Sequence, residues 1–150
     1  MIQLIHHRPP RIAMSLLFIA VLVSILPNLA VSLHRPLYAT ALVIGLAGFA
    51  LMIRAWWLFK TANTAICPTR RSSSLVTHDV FTVTRNPMYL GMSMMLTAVA
   101  LGVGTAPFYA ATLAYFLILD RVFCPYEEQK ARLEFGDIFE NYAQRVRRWI

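Results

Sequence analysis

Charge is scarce in this chain, and acidic charge is scarcest: seven Asp and Glu stand against fourteen Lys and Arg, and charged residues fill only 14% of the 150 positions. With 58% of residues hydrophobic and gathered in runs, not at amphipathic spacing, the composition calls for lipid around the chain. Cysteine is limited to Cys67 and Cys124. Neither has histidine at ligand spacing, which argues against a zinc site, and both fall on the side where cations collect and thiols stay reduced, which argues against a disulfide. No internal repeat and no low-complexity tract interrupts the sequence. A G-x-G-x-x-G run after a strand is also missing, which excludes a nucleotide fold of the soluble type. The net charge of +7 does not indicate nucleic acid, because the cations hug the ends of apolar runs, where anionic lipid headgroups account for them.

Four apolar stretches approach the roughly 20 residues that a helix needs to cross a hydrocarbon core about 30 Å thick. They cover residues 12–33, 37–59, 88–104 and 106–123, and the third is short for an upright span. Of the fourteen cations, Arg8 and Arg11 precede the first stretch. Lys60, Arg70, Arg71 and Arg85 lie between the second and third, and Arg121, Lys130, Arg132, Arg145, Arg147 and Arg148 gather at the C-terminal end. Only Arg35 falls between the first two, and Arg54 lies inside the second. Because Lys and Arg accumulate in cytoplasmic loops, both termini are expected in the cytoplasm. With no small-residue cleavage site before the outer loop, a kinked first span at Pro27 and Asn28 is expected in preference to a cleaved signal peptide. The expected architecture is one all-α integral membrane domain over residues 1–150. Its four spans are followed by amphipathic helices in a cytoplasmic segment, 124–150, broken near Gly136.

Pro87 disfavours helical geometry at Asn86 and suits the first turn of a following helix. Arg85 and Asn86 therefore stand at a helix N-terminus, which attracts anions, and Arg85 adds a planar fork suited to carboxylate or phosphate. Just inward lie Tyr89, with a ring and a hydroxyl, then Leu90, then Gly91, where a ligand or another helix can approach the backbone. An Arg at a cytoplasmic helix end and an interfacial Tyr are equally topology signals when taken singly. Glu127 and Glu128 follow the fourth span in a segment dominated by cations. Such a pair can accept hydrogen bonds from hydroxyl or amino groups, or remove a proton; ion pairing with Lys130 or Arg132 is the alternative. Arg54 is an ionisable group inside a span and so a functional candidate, unless it snorkels to the interface beside Trp56 and Trp57. Asp120 is placed to pair with Arg121 or to reach Arg54.

The run Thr84-Arg85-Asn86-Pro87-Met88-Tyr89-Leu90-Gly91, a helical hairpin, then Glu127-Glu128 with Phe135-Gly136, Phe139, Tyr142 and Val146-Arg147-Arg148-Trp149 resembles the isoprenylcysteine carboxyl methyltransferase and phospholipid methyltransferase family. The likeness covers roughly the C-terminal half. It departs from the family where Asn86 replaces a frequent His, and where Asp79-Val80 replaces a turn that usually carries Gly. The resemblance implies an S-adenosylmethionine-dependent methyltransferase acting on a lipid-like or isoprenoid acceptor that enters from the bilayer. It also implies a cofactor held by Arg85, Asn86, Pro87, Tyr89, Leu90, Gly91, Glu127, Glu128 and Tyr142. Glu128, Tyr89 and Arg54 are the expected catalytic candidates, with no metal and no nucleic acid involved. A membrane NADPH-dependent reductase of the sterol-reductase type, or a non-enzymatic assembly or regulatory subunit, is the alternative.

Overall fold

The computed structural model describes residues 9–26, 31–33, 35–63 and 74–150. Arg8, Pro27, Asn28, Cys67, Arg70 and Arg71, on which expectations above rest, lie outside the described residues. The described chain is helical: α1 (Pro9–Ile25), α2 (Tyr38–Thr61), a 3-10 turn (Asp79–Thr82), α3 (Pro87–Val103), α4 (Ala106–Ile118), a π-helical step (Leu119–Phe123), α5 (Cys124–Phe135) and α6 (Asp137–Arg145). The helices pack in a row, α2 on α3, α3 on α4 and α4 on α1.

Two helices are long and apolar enough to cross a membrane, Tyr38–Thr61 and the continuous rod Ala106–Phe135. Only 17% of the most apolar stretch of α2 is buried, which is not how the core helix of a water-soluble protein sits. Leu42, Leu46 and Phe49 stand exposed along it, as lipid-facing side chains would. Helices α1 and α3 have 17 residues each and rise about 25 Å at 1.5 Å per residue, somewhat less than the hydrocarbon thickness. The first apolar stretch is corrected most. Its helix begins at Pro9 and ends at Ile25, short of residue 33, because residues 31–33 run extended beside the α3–α4 turn. There the Leu33 N–H donates to the Gly104 carbonyl at 2.9 Å, and the Ala106 N–H donates to the Val31 carbonyl at 2.8 Å. Backbone groups paired across two loops in this way cannot also extend a helix.

The α2–α3 contact depends on the absence of side chains. A Cβ on Gly91 would lie 2.5 Å from the Gly48 carbonyl oxygen, and one on Gly48 would lie 2.7 Å from the Gly91 carbonyl oxygen. The two backbones touch, as small residues allow between helices in lipid. Gly91→Ala is therefore expected to destabilise the protein by about 1–3 kcal/mol through overpacking. Gly102→Ala, whose new Cβ would come no nearer than 3.9 Å to Ala41, should be neutral. Thermal unfolding of the two detergent-purified variants makes the comparison, and equal melting temperatures would refute the close approach.

At the other end of the bundle, α5 and α6 fold back across the helix ends. Gly136 joins them with φ 52° and ψ −128°, a conformation that side chains oppose. Phe139 and Tyr142 of α6 then bury themselves against Ala55, Leu58, Val76 and Phe81. The C-terminal segment is thereby fixed onto the ends of α2 and α3.

Candidate functional site

The site is assembled where residues 84–86 meet the C-terminal tail. Asn86 precedes Pro87 with φ −128°, outside helical geometry as the Pro requires, so the chain enters α3 with several groups unpaired in the helix. The tail takes them up. The Thr84 hydroxyl donates to the Arg148 carbonyl at 2.9 Å, the Asn86 amide Nδ2 donates to the same oxygen at 3.3 Å, and the Thr84 oxygen accepts the Asn86 N–H at 3.2 Å. The Arg85 N–H donates to the Arg147 carbonyl at 3.1 Å. From α6, the Tyr142 hydroxyl donates to the Phe81 carbonyl at 2.7 Å, which ties that helix to the turn leading into Thr84.

Around this junction lies a charge cluster that shares one carboxylate. Arg85 donates from Nη2 to Glu128 Oε1 at 2.8 Å and from Nη1 to the Ala143 carbonyl at 2.9 Å. Arg148 forks onto the same carboxylate, Nε to Oε1 at 2.9 Å and Nη2 to Oε2 at 2.8 Å. Its remaining arm, Nη1, reaches the Asp120 carbonyl at 3.2 Å and Asp120 Oδ1 at 3.1 Å. Trp149 Nε1 donates to that Oδ1 at 2.9 Å. Glu128 is 7% exposed, so the shared carboxylate is buried while Arg148 and Asp120 at the edge of the network are half-buried. Burial alone would raise the Glu128 carboxyl, but the Arg148 hydrogen bonds and the Arg85 charge outweigh it and hold the group below the usual carboxylate range. The Arg85 Nε is buried and has no hydrogen-bond partner among the described residues.

The neighbouring acid behaves differently. Glu127 accepts a hydrogen bond from the Tyr89 hydroxyl on Oε1, and the Tyr89 ring meets Phe123 edge-on at 6.3 Å between centroids. Residue 127 lies about 30 Å along the rod from Ala106 at 1.5 Å per residue, past the apolar stretch that ends at Phe123. Burial pushes its carboxyl up to about 7, against the Tyr89 hydrogen bond and the Lys130 charge. Two adjacent glutamates thus differ: two guanidinium groups favour the charged form of one, while burial disfavours the charged form of the other.

The structure brings Arg85, Asn86, Glu127, Glu128 and Tyr89 together at the start of α3. Pro87 occupies the first turn, and the Leu90 N–H closes that turn on the Asn86 carbonyl at 2.9 Å. Gly91 faces α2, which serves helix packing. Arg54 stands apart from the cluster: its guanidinium pairs with Asp79, with Nε at 3.1 Å from Oδ2, and lies over the Trp57 ring at 5.1 Å. Its neighbours are thus Asp79 and Trp57 and not the glutamate pair. Asp79 sits at φ 61°, which explains why a glycine suits this turn; here the side chain also accepts the Val80 N–H at 2.8 Å, and that local bond with the Arg54 pair holds the strained residue in place. Asp120 keeps Arg121 at 3.4 Å but meets Arg148 and Trp149 in place of Arg54. Lys130 pairs with Glu134 and Arg132 with Glu140, so the glutamate pair has other partners. Asp120 is expected from the sequence only as a partner of Arg121 or Arg54, and Arg148 only as part of the terminal motif, so neither stands among the site residues expected above. The adjacent pair Arg147-Arg148 does not tell which side chain turns inward, and Asp120 does not tell which cation it meets.

Residues 36–137, more than half of the chain, match the family described as phospholipid methyltransferase. An uncharacterized protein of Haemophilus influenzae is 30% identical over 63 residues, which is 42% of this chain and 100% of that protein. No solved structure matches. The matched segment carries Arg85, Tyr89, Glu127 and Glu128 but ends before the tail that completes the cluster.

Proposed function

Because the chain belongs to the phospholipid methyltransferase family, we propose that it transfers a methyl group from S-adenosylmethionine to a lipid-like or isoprenoid acceptor at the cytoplasmic face of a membrane. The observation that carries the reading is Arg85, anchored on Glu128 and Ala143 with its Nε buried and unpartnered. A buried guanidinium donor without an acceptor is costly, and a ligand carboxylate is the kind of group that would satisfy it.

The residues offer the proposed cofactor groups of both signs, the Arg85 guanidinium and the Glu127 carboxylate. When bound, S-adenosylmethionine supplies a methyl group activated by its sulfonium. Arg85 would hold the carboxylate end, and Glu127 would accept from hydroxyl or amino groups or take up a proton from the acceptor. Glu128 serves as the brace between the two arginines. Tyr89 and Phe123 would form an aromatic wall, with Asn86, Pro87 and Leu90 fixing the start of α3 beneath it. Positioning of this sort supplies much of the catalysis in a displacement reaction.

In this reading α1 and α3 join the two longer helices as spans, with both termini cytoplasmic. The acceptor enters sideways from lipid while the polar cofactor arrives from water. Titration calorimetry of detergent-purified protein tests the cofactor assignment: saturable heat is expected with S-adenosylmethionine and none with NADPH. Binding of NADPH alone would overturn the proposal in favour of a reductase.

A further inference from the structure

The rod from α4 to α5 changes its winding at the site. Over Leu119–Phe123 it is π-helical, and the Cys124 N–H donates to the Leu119 carbonyl, five residues back. The next bond of that pattern would run from residue 125 to the Asp120 carbonyl. Residue 125 is Pro and has no N–H, so the Asp120 carbonyl has no acceptor duty inside the helix. Arg148 Nη1 donates to it from the tail at 3.2 Å. The same arm binds Asp120 Oδ1 at 3.1 Å, Trp149 adds its indole N–H at 2.9 Å, and the Trp149 ring packs on Phe116 with centroids 4.7 Å apart. One guanidinium thus grips the π-helical step with one arm and, with the other two nitrogens, Glu128 one turn beyond it.

The winding matters because a π-helical step absorbs one extra residue. Relative to a continuous α-helix, everything after it is turned by about 100°, the angle one residue subtends at 3.6 residues per turn. That rotation decides which of two adjacent glutamates faces Tyr89 on α3 and which faces Arg85. Steps of this kind recur at functional sites, and here the groups that hold it come from a distant part of the chain.

We propose that Arg148 is a positioning residue: by clamping Asp120 to Glu128 it holds the π-helical step, and so presents Glu127 to Tyr89 and Glu128 to Arg85. The consequence lies in the geometry of the glutamate pair, whatever ligand the pair serves. A tail that merely glued the surface together would stabilise the fold without deciding which acid Tyr89 meets.

A double-mutant cycle separates these roles. In the wild-type background Tyr89→Phe and Glu127→Gln remove or weaken one shared hydrogen bond, so their shifts in melting temperature are expected to be non-additive. In an Arg148→Lys background, which keeps the charge but loses the fork, the two shifts should become additive. Where Arg148→Lys does not yield folded protein, Asp120→Asn, which weakens the grip on the step alone, provides the background with the same expectation. Non-additivity that persists in a folded background variant overturns the proposal, as does its absence from the wild-type background. The readout uses neither cofactor nor acceptor, so its failure leaves the methyl-transfer reading standing, and failure of that reading leaves this one standing.

Discussion

Glu128→Leu is expected to destabilise the folded protein by about 3–5 kcal/mol, the usual cost of removing one partner from a buried ion pair. The carboxylate is 7% exposed and is shared by two guanidinium groups. Without it Arg148 keeps Asp120, but Arg85 keeps only the Ala143 carbonyl, and a buried cation is left without a counter-charge. Leucine replaces the volume and not the charge, so packing cannot offset the loss. The comparison is Glu140→Gln, whose partner Arg132 is about half exposed, as is Glu140 itself; such a pair contributes about 0–1 kcal/mol. Thermal unfolding in detergent should place the two variants far apart. Similar melting temperatures would mean that Glu128 is not the brace described here.

Arg85→Ala is expected to weaken S-adenosylmethionine binding by about tenfold or more, since a hydrogen bond to a charged group contributes roughly 1.5–3 kcal/mol and each 1.4 kcal/mol is a factor of ten. Arg85→Lys should recover only part of the affinity, because an ammonium is a point charge without the planar fork. Arg54→Ala provides the contrast. Its guanidinium is engaged by Asp79 and Trp57 and is half exposed, so cofactor affinity should not change. Calorimetry on all three variants decides the matter. A loss in Arg54→Ala that matches the loss in Arg85→Ala would return Arg54 to the site and break the geometry.

Several of these features were legible in the residues. Pro87 placed the start of α3, and the helix begins there. Gly136 placed the break between α5 and α6, and its backbone is in the region that demands glycine. The unequal fates of Glu127 and Glu128 were not legible, because adjacent identical side chains differ only in which way the helix turns them. The sequence leaves Gly91 open between a ligand and a helix, and in the structure it packs against Gly48. Arg54 lies in an apolar run, yet its length lets it reach Asp79 at the turn before α3.

By itself the sequence determined the helical membrane character, the family likeness and the polar cluster at the mouth of α3. These are properties of composition, local backbone preference and spacing, which act over a few residues at a time. Tertiary structure alone decided that Arg148, 20 residues beyond Glu128, closes the cluster. It also decided that the Asp120 carbonyl is bound from the tail, and that the step at Leu119–Phe123 is π-helical. A carbonyl that Pro125 leaves unpaired must find a donor somewhere, but which donor depends on where the chain returns in space, and that is not encoded by neighbours along the sequence.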